Sequence, residues 1–244
     1  MNIVLLHQRD DWLDAERVLI SDHRAAHLIG VLRASVGDAF RVGILDGRVG
    51  EAVVQSIEQN TVILTVQLED LPPPRHCFDI VLALPRPKML RRILRTVAEF
   101  GVENLHLINS ARVDKSYWQS PLLKPEKIEE ALLSGLERAR DTQPPRVHLH
   151  QRFRPFVEDE LVDLCAGRPC WIAEMGAPIS LADHLAQPAV VMIGPEGGFV
   201  PFELDLAQSV VAKPVHLGVR TFSVDTALTT VLAQVLPGRA SGCR

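Results

Sequence analysis

The stretch IGPEGGF, residues 193–199, places three glycines and one carboxylate between an apolar run and PFELDLAQSV, which reads as the opening of an amphipathic helix. At Gly194, Gly197 and Gly198 the missing side chains let backbone N–H groups approach a ligand; the same residues also suit a plain strand-to-helix turn. The spacing is neither G-x-G-x-x-G nor G-x-x-x-x-G-K-[ST], so neither a dinucleotide nor a nucleoside triphosphate is favoured. Glu196 would repel a phosphate and suits a ligand carrying hydroxyls or a positive charge. A second glycine turn, HLGVRTFSVDTAL (216–228), again joins a strand pattern to a helix pattern. Two such turns at the carboxyl ends of strands in one sheet can line a single crevice, where open α/β sheets bind ligands. Arg220 offers a guanidinium to a phosphate or a developing anion, with a solvated salt bridge as its plainer role. Asp225 or Thr226 can serve as a helix cap.

A second group of side chains is cationic. Lys88, Arg91, Arg92 and Arg95 share one helix face by i, i+3, i+4, i+7 spacing, Arg86 precedes them, and Glu99 is the first acid in that stretch. Such a stripe suits phosphate groups better than an ordinary solvated face, where signs mix. ARVDKSYWQS (111–120) adds Arg112 and Lys115 beside Tyr117 and Trp118. The aromatic pair either stacks on a base or packs in an oligomer interface. Arg24, His27 and Arg33 lie on or near one helix closer to the N-terminus, where a structural role for His27 competes with a binding one.

No hydrolytic triad, paired catalytic carboxylates or zinc spacing is found, and no metal is expected. The four cysteines, Cys77, Cys165, Cys170 and Cys243, form no C-x-x-C pair and are read as free thiols in a reducing compartment. No apolar run reaches the roughly 18–20 residues of a membrane span, and MNIVLLHQRDDW lacks a signal-peptide pattern, so a cytoplasmic protein is expected. The net charge of −4 hides an asymmetry. Residues 1–73 hold 6 Lys+Arg against 11 Asp+Glu, residues 74–150 hold 13 against 9, and residues 151–244 hold 7 against 10. A nucleic-acid partner would find its positive surface in the middle segment.

The elements that must position these groups fall into two textures. Residues 1–70 carry short apolar stretches separated by Gly-Asp, Asp-Gly and Gln-Asn turns, with one helix at 22–34, and read as a small β-rich domain. LEDLPPPRH (68–76) cannot continue a ladder or a helix, which places a linker at 71–77. Residues 78–244 then alternate strands (78–85, 103–110, RPCWIAEM, 189–195, 212–218) with helices (88–101, 125–141, PFELDLAQSV, 225–236). That alternation argues for an α/β domain on a parallel sheet.

IGPEGGF followed by LGVRTFSVDTAL resembles the SPOUT-class RNA methyltransferases of the RsmE type, the 16S rRNA uracil-N3 methyltransferase family. HLIGVLRASVGDAF (27–40) is similar to that family's PUA-like RNA-binding domain, and residues 82–123, with INSARVDKSYWQS, to the first strand–helix–strand of its methyltransferase domain. The resemblance implies a C-terminal trefoil knot, S-adenosyl-L-methionine bound in the knot loops, 16S rRNA of the small ribosomal subunit as partner, and a homodimer. Its cofactor loops correspond here to Ile193, Gly194, Pro195, Glu196, Gly197 and Gly198, then Leu217, Gly218, Phe222, Ser223, Val224, Asp225 and Thr226. Arg220 would stabilise a uracil anion, with Asp225, Glu196 or solvent taking the N3 proton. The cationic residues named above, with the small domain, would hold the rRNA backbone.

The chain departs from the family's usual LGPRILR-[TV]-ETA: Val219 stands for a proline, Ser223 for an arginine, Asp225 for a glutamate. Losing a fixed positive charge and shortening a carboxylate inside the implied site lets activity or substrate position differ from the family's, and three other readings stay open. They are a SPOUT enzyme with a different RNA target, a catalytically silent RNA-binding assembly factor, and a small-molecule α/β enzyme without RNA affinity.

Overall fold

A computed structural model describes residues 2–184 and 187–235. They group into two compact units, residues 1–73 with 136–144, and residues 74–135 with 145 onward. The return of 136–144 to the first unit is a feature that a linear domain reading does not contain.

In the first unit, strands β1 (Val4–Leu6), β2 (Asp11–Trp12), β3 (Arg17–Ile20), β4 (Ala39–Ile44), β5 (Val49–Glu58) and β6 (Thr61–Asp70) form one sheet in the order β1-β4-β5-β6-β3-β2. Only β1 and β4 pair in parallel. Helix α1 (His23–Gly30) starts at Asp22, whose side chain accepts from Arg24 N, and buries Ala25 and Leu28 against Val18, Ile20, Val42 and Leu64. Alternate residues of β5 and β6, such as Ala52, Val54, Val62, Leu64 and Val66, face that core, as the period-2 pattern requires. The Asp-Gly turn between β4 and β5 is held from 136–144: Thr142 Oγ1 donates to Gly47 O at 2.7 Å, and Asp46 N to Thr142 O at 2.8 Å.

Arg24 requires a correction. Its side chain is buried, with Nη1 donating to Leu5 O and to Asp10 Oδ2, both at 2.7 Å, and Nη2 2.8 Å from Asp22 Oδ2. Burial opposes a charged guanidinium, and the two carboxylates more than compensate, so its pKa rises. A cation so enclosed cannot reach an RNA phosphate. His27 is half-buried with an unbonded Nε2, and Arg33 is exposed at a left-handed φ of 52°.

In the second unit, β7 (Phe78–Ala83), β8 (Asn104–Ile108), β9 (Arg146–His150), β10 (Cys170–Ala173), β11 (Ala189–Ile193) and β12 (Ala212–Val215) form a parallel sheet in the order β12-β10-β11-β7-β8-β9. Central β7 and β11 are buried along their whole length, as strands covered on both faces must be. Helix α2 (Pro87–Glu99) has proline in its first turn, buries Leu90, Ile93, Leu94, Val97 and Ala98, and ends before Gly101 at φ 70°. Helix α3 (Pro125–Ala139) follows two 3₁₀ turns, Lys115–Gln119 and Pro121–Leu123. Further on, α4 (Phe153–Pro155) passes through a π turn, Phe156–Glu160, into α5 (Leu161–Cys165). Helices α6 (Pro201–Val210) and α7 (Val224–Gln234) complete the unit. The expected last helix, 225–236, therefore ends at Gln234 within the described residues, and residue 236 lies outside them.

Two elements go beyond the sequence reading. β9 adds a sixth strand: its RVHLH pattern alternates polar residues at the sheet edge and carries no apolar run. The α4–α5 segment buries Phe153, Phe156, Val157 and Leu161. The expectation of four free thiols is also corrected. Cys165 and Cys170 are free and buried, Cys77 is disulfide-bonded, and Cys243 lies outside the described residues.

Candidate functional site

Three loops leave the carboxyl ends of the adjacent strands β10, β11 and β12 and close around one cavity of about 410 Å³. Residues 173–176, 193–199 and 217–222 supply most of its wall, with Leu204 and Ala227 behind them. The strand order reverses between β7 and β11, so the cavity sits beside the switch point of a parallel sheet.

The first glycine turn is fixed from both sides. Gly198 N donates to Pro195 O at 2.7 Å, and Gly198 holds φ 71°, a left-handed angle that favours glycine. Arg112 Nη1 donates to Gly197 O and approaches Gly198 O at 3.4 Å. Arg112 is in turn placed by Glu203, a buried carboxylate in the first turn of α6. Ala111 N donates to Glu203 Oε1 at 2.7 Å, while Ser110 Oγ and Val200 N donate to Oε2, each at 3.0 Å. Glu203 thus ties the exit of β8 to the exit of the glycine turn.

The second turn is anchored through β12. His216 N donates to Ile179 O and Leu181 N to His216 O, while Gly218 N donates to His216 Nδ1 at 3.2 Å. Gly218, at φ 129°, faces open space, as do Gly176 and Gly198; any side chain there would enter the cavity or its mouth. Arg220 lines the cavity, is exposed, and makes no ion pair among the described residues.

Of the residues singled out in the two turns, Ile193, Gly194, Pro195, Glu196, Gly197, Gly198, Leu217, Gly218, Arg220 and Phe222 line the cavity. Ser223, Val224, Asp225 and Thr226 do not; they form the start of α7. There Ser223 Oγ donates to Asp225 Oδ1 at 2.6 Å and lies 2.9 Å from Thr226 Oγ1. Asp225 Oδ2 is 3.3 Å from Arg92 Nη1. The Ser223 hydroxyl first, and the Arg92 charge after it, hold the Asp225 carboxyl below the usual carboxylate range. Neither Asp225 nor Thr226 is the cap residue, which is Ser223.

The cationic residues do not form one free stripe. Arg86 Nε is 3.3 Å from Glu196 Oε1, Arg91 Nη2 is 2.6 Å from Glu130 Oε1 on α3, and Arg92 reaches Asp225. Arg95 is half-buried with an unbonded Nε, whereas Lys88 and Lys115 are exposed. Trp118 Nε1 donates to Asn109 Oδ1 at 3.0 Å, and Tyr117 beside it is half-buried.

Sequence reasoning missed the third loop, in which Ala173, Glu174, Met175 and Gly176 follow β10. Its one signal was a glycine just after a strand pattern. It also missed Glu203, since an acid near a helix start carries no signal of long-range bonding. Among the described residues no group of three or more His, Cys, Asp or Glu is arranged to hold a metal ion, and no helix is long and apolar enough to cross a membrane.

The residues present fit an S-adenosylmethionine-sized group. The cavity volume lies in the range of small-molecule sites, roughly 300–1,000 Å³. Its wall combines apolar Ile193, Leu217 and Phe199 with the carboxylates Glu174 and Glu196 and with glycines that leave room.

Comparison with known proteins agrees. A family model described as RNA methyltransferase domain matches residues 73–236. The chain is similar to Ribosomal RNA small subunit methyltransferase E of Treponema pallidum, 30% identical over 97% of this chain and 91% of that protein. It is also similar to the protein of that name from Synechocystis, 29% identical over 89% of this chain and 72% of the other. Two solved structures share the fold. One is Ribosomal RNA small subunit methyltransferase E from Neisseria gonorrhoeae bound to S-adenosyl methionine, with a TM-score of 0.72, 19% identity, and coverage of 96% and 95%. The other is a Legionella pneumophila protein with the bound cofactor SAM, with a TM-score of 0.73, 18% identity, and coverage of 96% of both chains.

Proposed function

Because this chain belongs to the RNA methyltransferase family, we propose that it transfers a methyl group from S-adenosyl-L-methionine to N3 of a specific uridine in 16S rRNA of the small ribosomal subunit. The observation that carries this reading is the convergence of three loops on one cavity whose glycines leave space and whose carboxylates suit a cationic ligand.

Bound S-adenosylmethionine supplies an electrophilic methyl on a sulfonium cation. Glu174 and Glu196 give its cavity a negative field. Ile193, Leu217 and Phe199 keep water from its walls. Methylation at N3 requires the N–H proton to leave and the base to be unpaired, since N3 lies on the Watson–Crick edge. Arg220, free of an ion pair and at the cavity wall, stabilises the resulting uracil anion. Asp225, Glu196 or solvent takes the proton. Arg86, Lys88, Arg91, Arg92, Arg95, Arg112 and Lys115, with His27 and Arg33 of the first unit, hold the RNA backbone.

The finer points belong to the same proposal. A trefoil knot is supported by the pairing of the β12 exit with residues 179–181 while α7 turns back onto β11 and α2. A PUA-like first unit is supported by its six strands around one helix. Exposed apolar Met175, Ile179 and Val219 near the cavity support a homodimer. An rRNA substrate puts the reaction in the cytoplasm.

The test is calorimetric titration with S-adenosylmethionine of the protein and of Gly176→Trp, followed by methyl transfer to isolated small subunits with the modified nucleotide located by mass spectrometry. Binding that the variant loses, and a methyl on uracil N3 of 16S rRNA, are expected. A methyl on another nucleotide would establish a different RNA target, and donor or RNA binding without transfer would establish a silent factor.

A further inference from the structure

From the two ion pairs that join α2 to the glycine turns, we infer that Arg86 and Arg92 form an RNA-responsive latch, which holds Glu196 and Asp225 until RNA phosphates take the arginines away. The inference rests on the proposed methyl transfer to RNA.

The geometry sets up a competition. Arg86 Nε sits 3.3 Å from Glu196 Oε1, and Arg92 Nη1 sits 3.3 Å from Asp225 Oδ2. Each arginine is mostly exposed, at 66% and 71%, whereas its carboxylate partner lies deeper, at 38% and 14%. The cations therefore face solvent and any incoming polyanion, while Glu196 lines the cavity and Asp225 lies in the first turn of α7. A phosphate that approaches either guanidinium competes with the carboxylate for its N–H donors. An exposed pair such as Arg86–Glu196 contributes only about 0.2–1 kcal/mol, so a phosphate contact that also releases counterions displaces the carboxylate, and the exposed Arg92 is open to the same phosphates.

The turn itself keeps its shape when the latch opens. Arg112 grips it through the Gly197 and Gly198 carbonyls, and Gly198 N donates to Pro195 O, so only side-chain charge is redistributed. Once Arg86 leaves, Glu196 contributes its full charge to the cavity wall. Once Arg92 leaves, Asp225 retains the Ser223 hydroxyl but loses its cation, which makes it a better proton acceptor.

The linkage is reciprocal and specific for charge. S-adenosylmethionine carries a positive sulfonium, and S-adenosylhomocysteine lacks its methyl group and has a neutral sulfur. Opening the latch must favour the first over the second. The experiment measures both dissociation constants at low salt, without RNA and with saturating oligocytidylate, which offers phosphates but no uracil. It uses the protein and an Arg86→Gln/Arg92→Gln variant whose changes lie on exposed side chains.

In the protein, oligocytidylate raises the preference for S-adenosylmethionine about two- to fivefold. In the variant the raised preference is present without RNA, and oligocytidylate adds little. A preference that neither the oligonucleotide nor the variant changes, with both ligands still bound, overturns the latch and leaves the proposed function standing. Failure of both ligands to bind under every condition overturns the proposed function itself.

Discussion

Ser110 and Glu203 lie 93 residues apart in the chain and are joined by a 3.0 Å hydrogen bond inside the second unit, the hydroxyl donating to Oε2. With Ala111 N and Val200 N on the same carboxylate, one side chain fixes both the loop bearing Arg112 and the exit of the glycine turn. Glu203→Ala leaves three donors, the buried Ser110 hydroxyl and the partly buried Ala111 and Val200 amides, without their acceptor. It is expected to lower stability by about 2–4 kcal/mol, read as a shift in the urea midpoint, with a smaller loss for Glu203→Gln.

Gly218→Val combines two penalties. At φ 129° the backbone is outside the region a β-branched residue adopts, at a cost of about 1–3 kcal/mol, and the added side chain projects into space that the cavity uses. Calorimetry is expected to show at least a tenfold loss of S-adenosylmethionine affinity, and thermal melting a modest loss of stability.

Arg24→Met strands Asp10, whose pKa is now lowered because hydrogen bonds from Arg24 and from His7 N outweigh the opposing effect of burial. An uncompensated carboxylate of that kind costs about 3–5 kcal/mol. The double variant Arg24→Met/Asp10→Leu is expected to recover most of the loss in chemical denaturation, because it removes the buried carboxylate with the cation and leaves only Asp22, whose side chain reaches solvent.

His106 makes stability depend on pH. It is buried, stacks on His148 with ring centroids 4.4 Å apart, and has Nδ1 3.1 Å from His150 Nε2. Burial first, then the neighbouring histidine charges, push its pKa from the ordinary 6.5 down to about 3. Between those values the unfolded chain binds a proton that the folded chain refuses. Stability is therefore complete above pH 6.5 and is lost as pH falls toward 3, by about 1.4 kcal/mol per unit once well below 6.5. Urea midpoints at pH 7.5 and pH 5 are expected to differ less for His106→Phe than for the unmodified chain.

The sequence was most legible where one physical signal acted locally. The apolar positions 90, 93, 94, 97 and 98 repeat at helical spacing and are the buried face of α2. The glycine turns were visible because glycine is rarely placed without a backbone reason. β9 was not legible because an edge strand with alternating polar residues carries no apolar run. Arg24 and the α2 cations were misjudged as free because their acids lie elsewhere: Asp10 on another loop, Glu130 on α3, Glu196 and Asp225 beyond distant strands. Asp22 and Asp10 do lie near Arg24 in the chain, but nothing in their spacing shows that they converge on it, and the partners of Arg86, Arg91 and Arg92 are far away in sequence. The 173–176 loop has the same difficulty, since Glu174 and Gly176 join the cavity only through sheet order.

That sheet order also dictates when the cavity can exist. Its three strands depend on late, long-range pairing: Ala189 registers against Phe78, and Cys170 against both Val190 and Ala212. Each closure spans a long stretch of chain, an arrangement that slows folding. During synthesis the β7–β8 pair can form early, but no pocket wall is complete until β12 and the turn after it have left the ribosome. Capture of a small ligand by this chain would therefore mark a polypeptide whose synthesis has passed the second glycine turn.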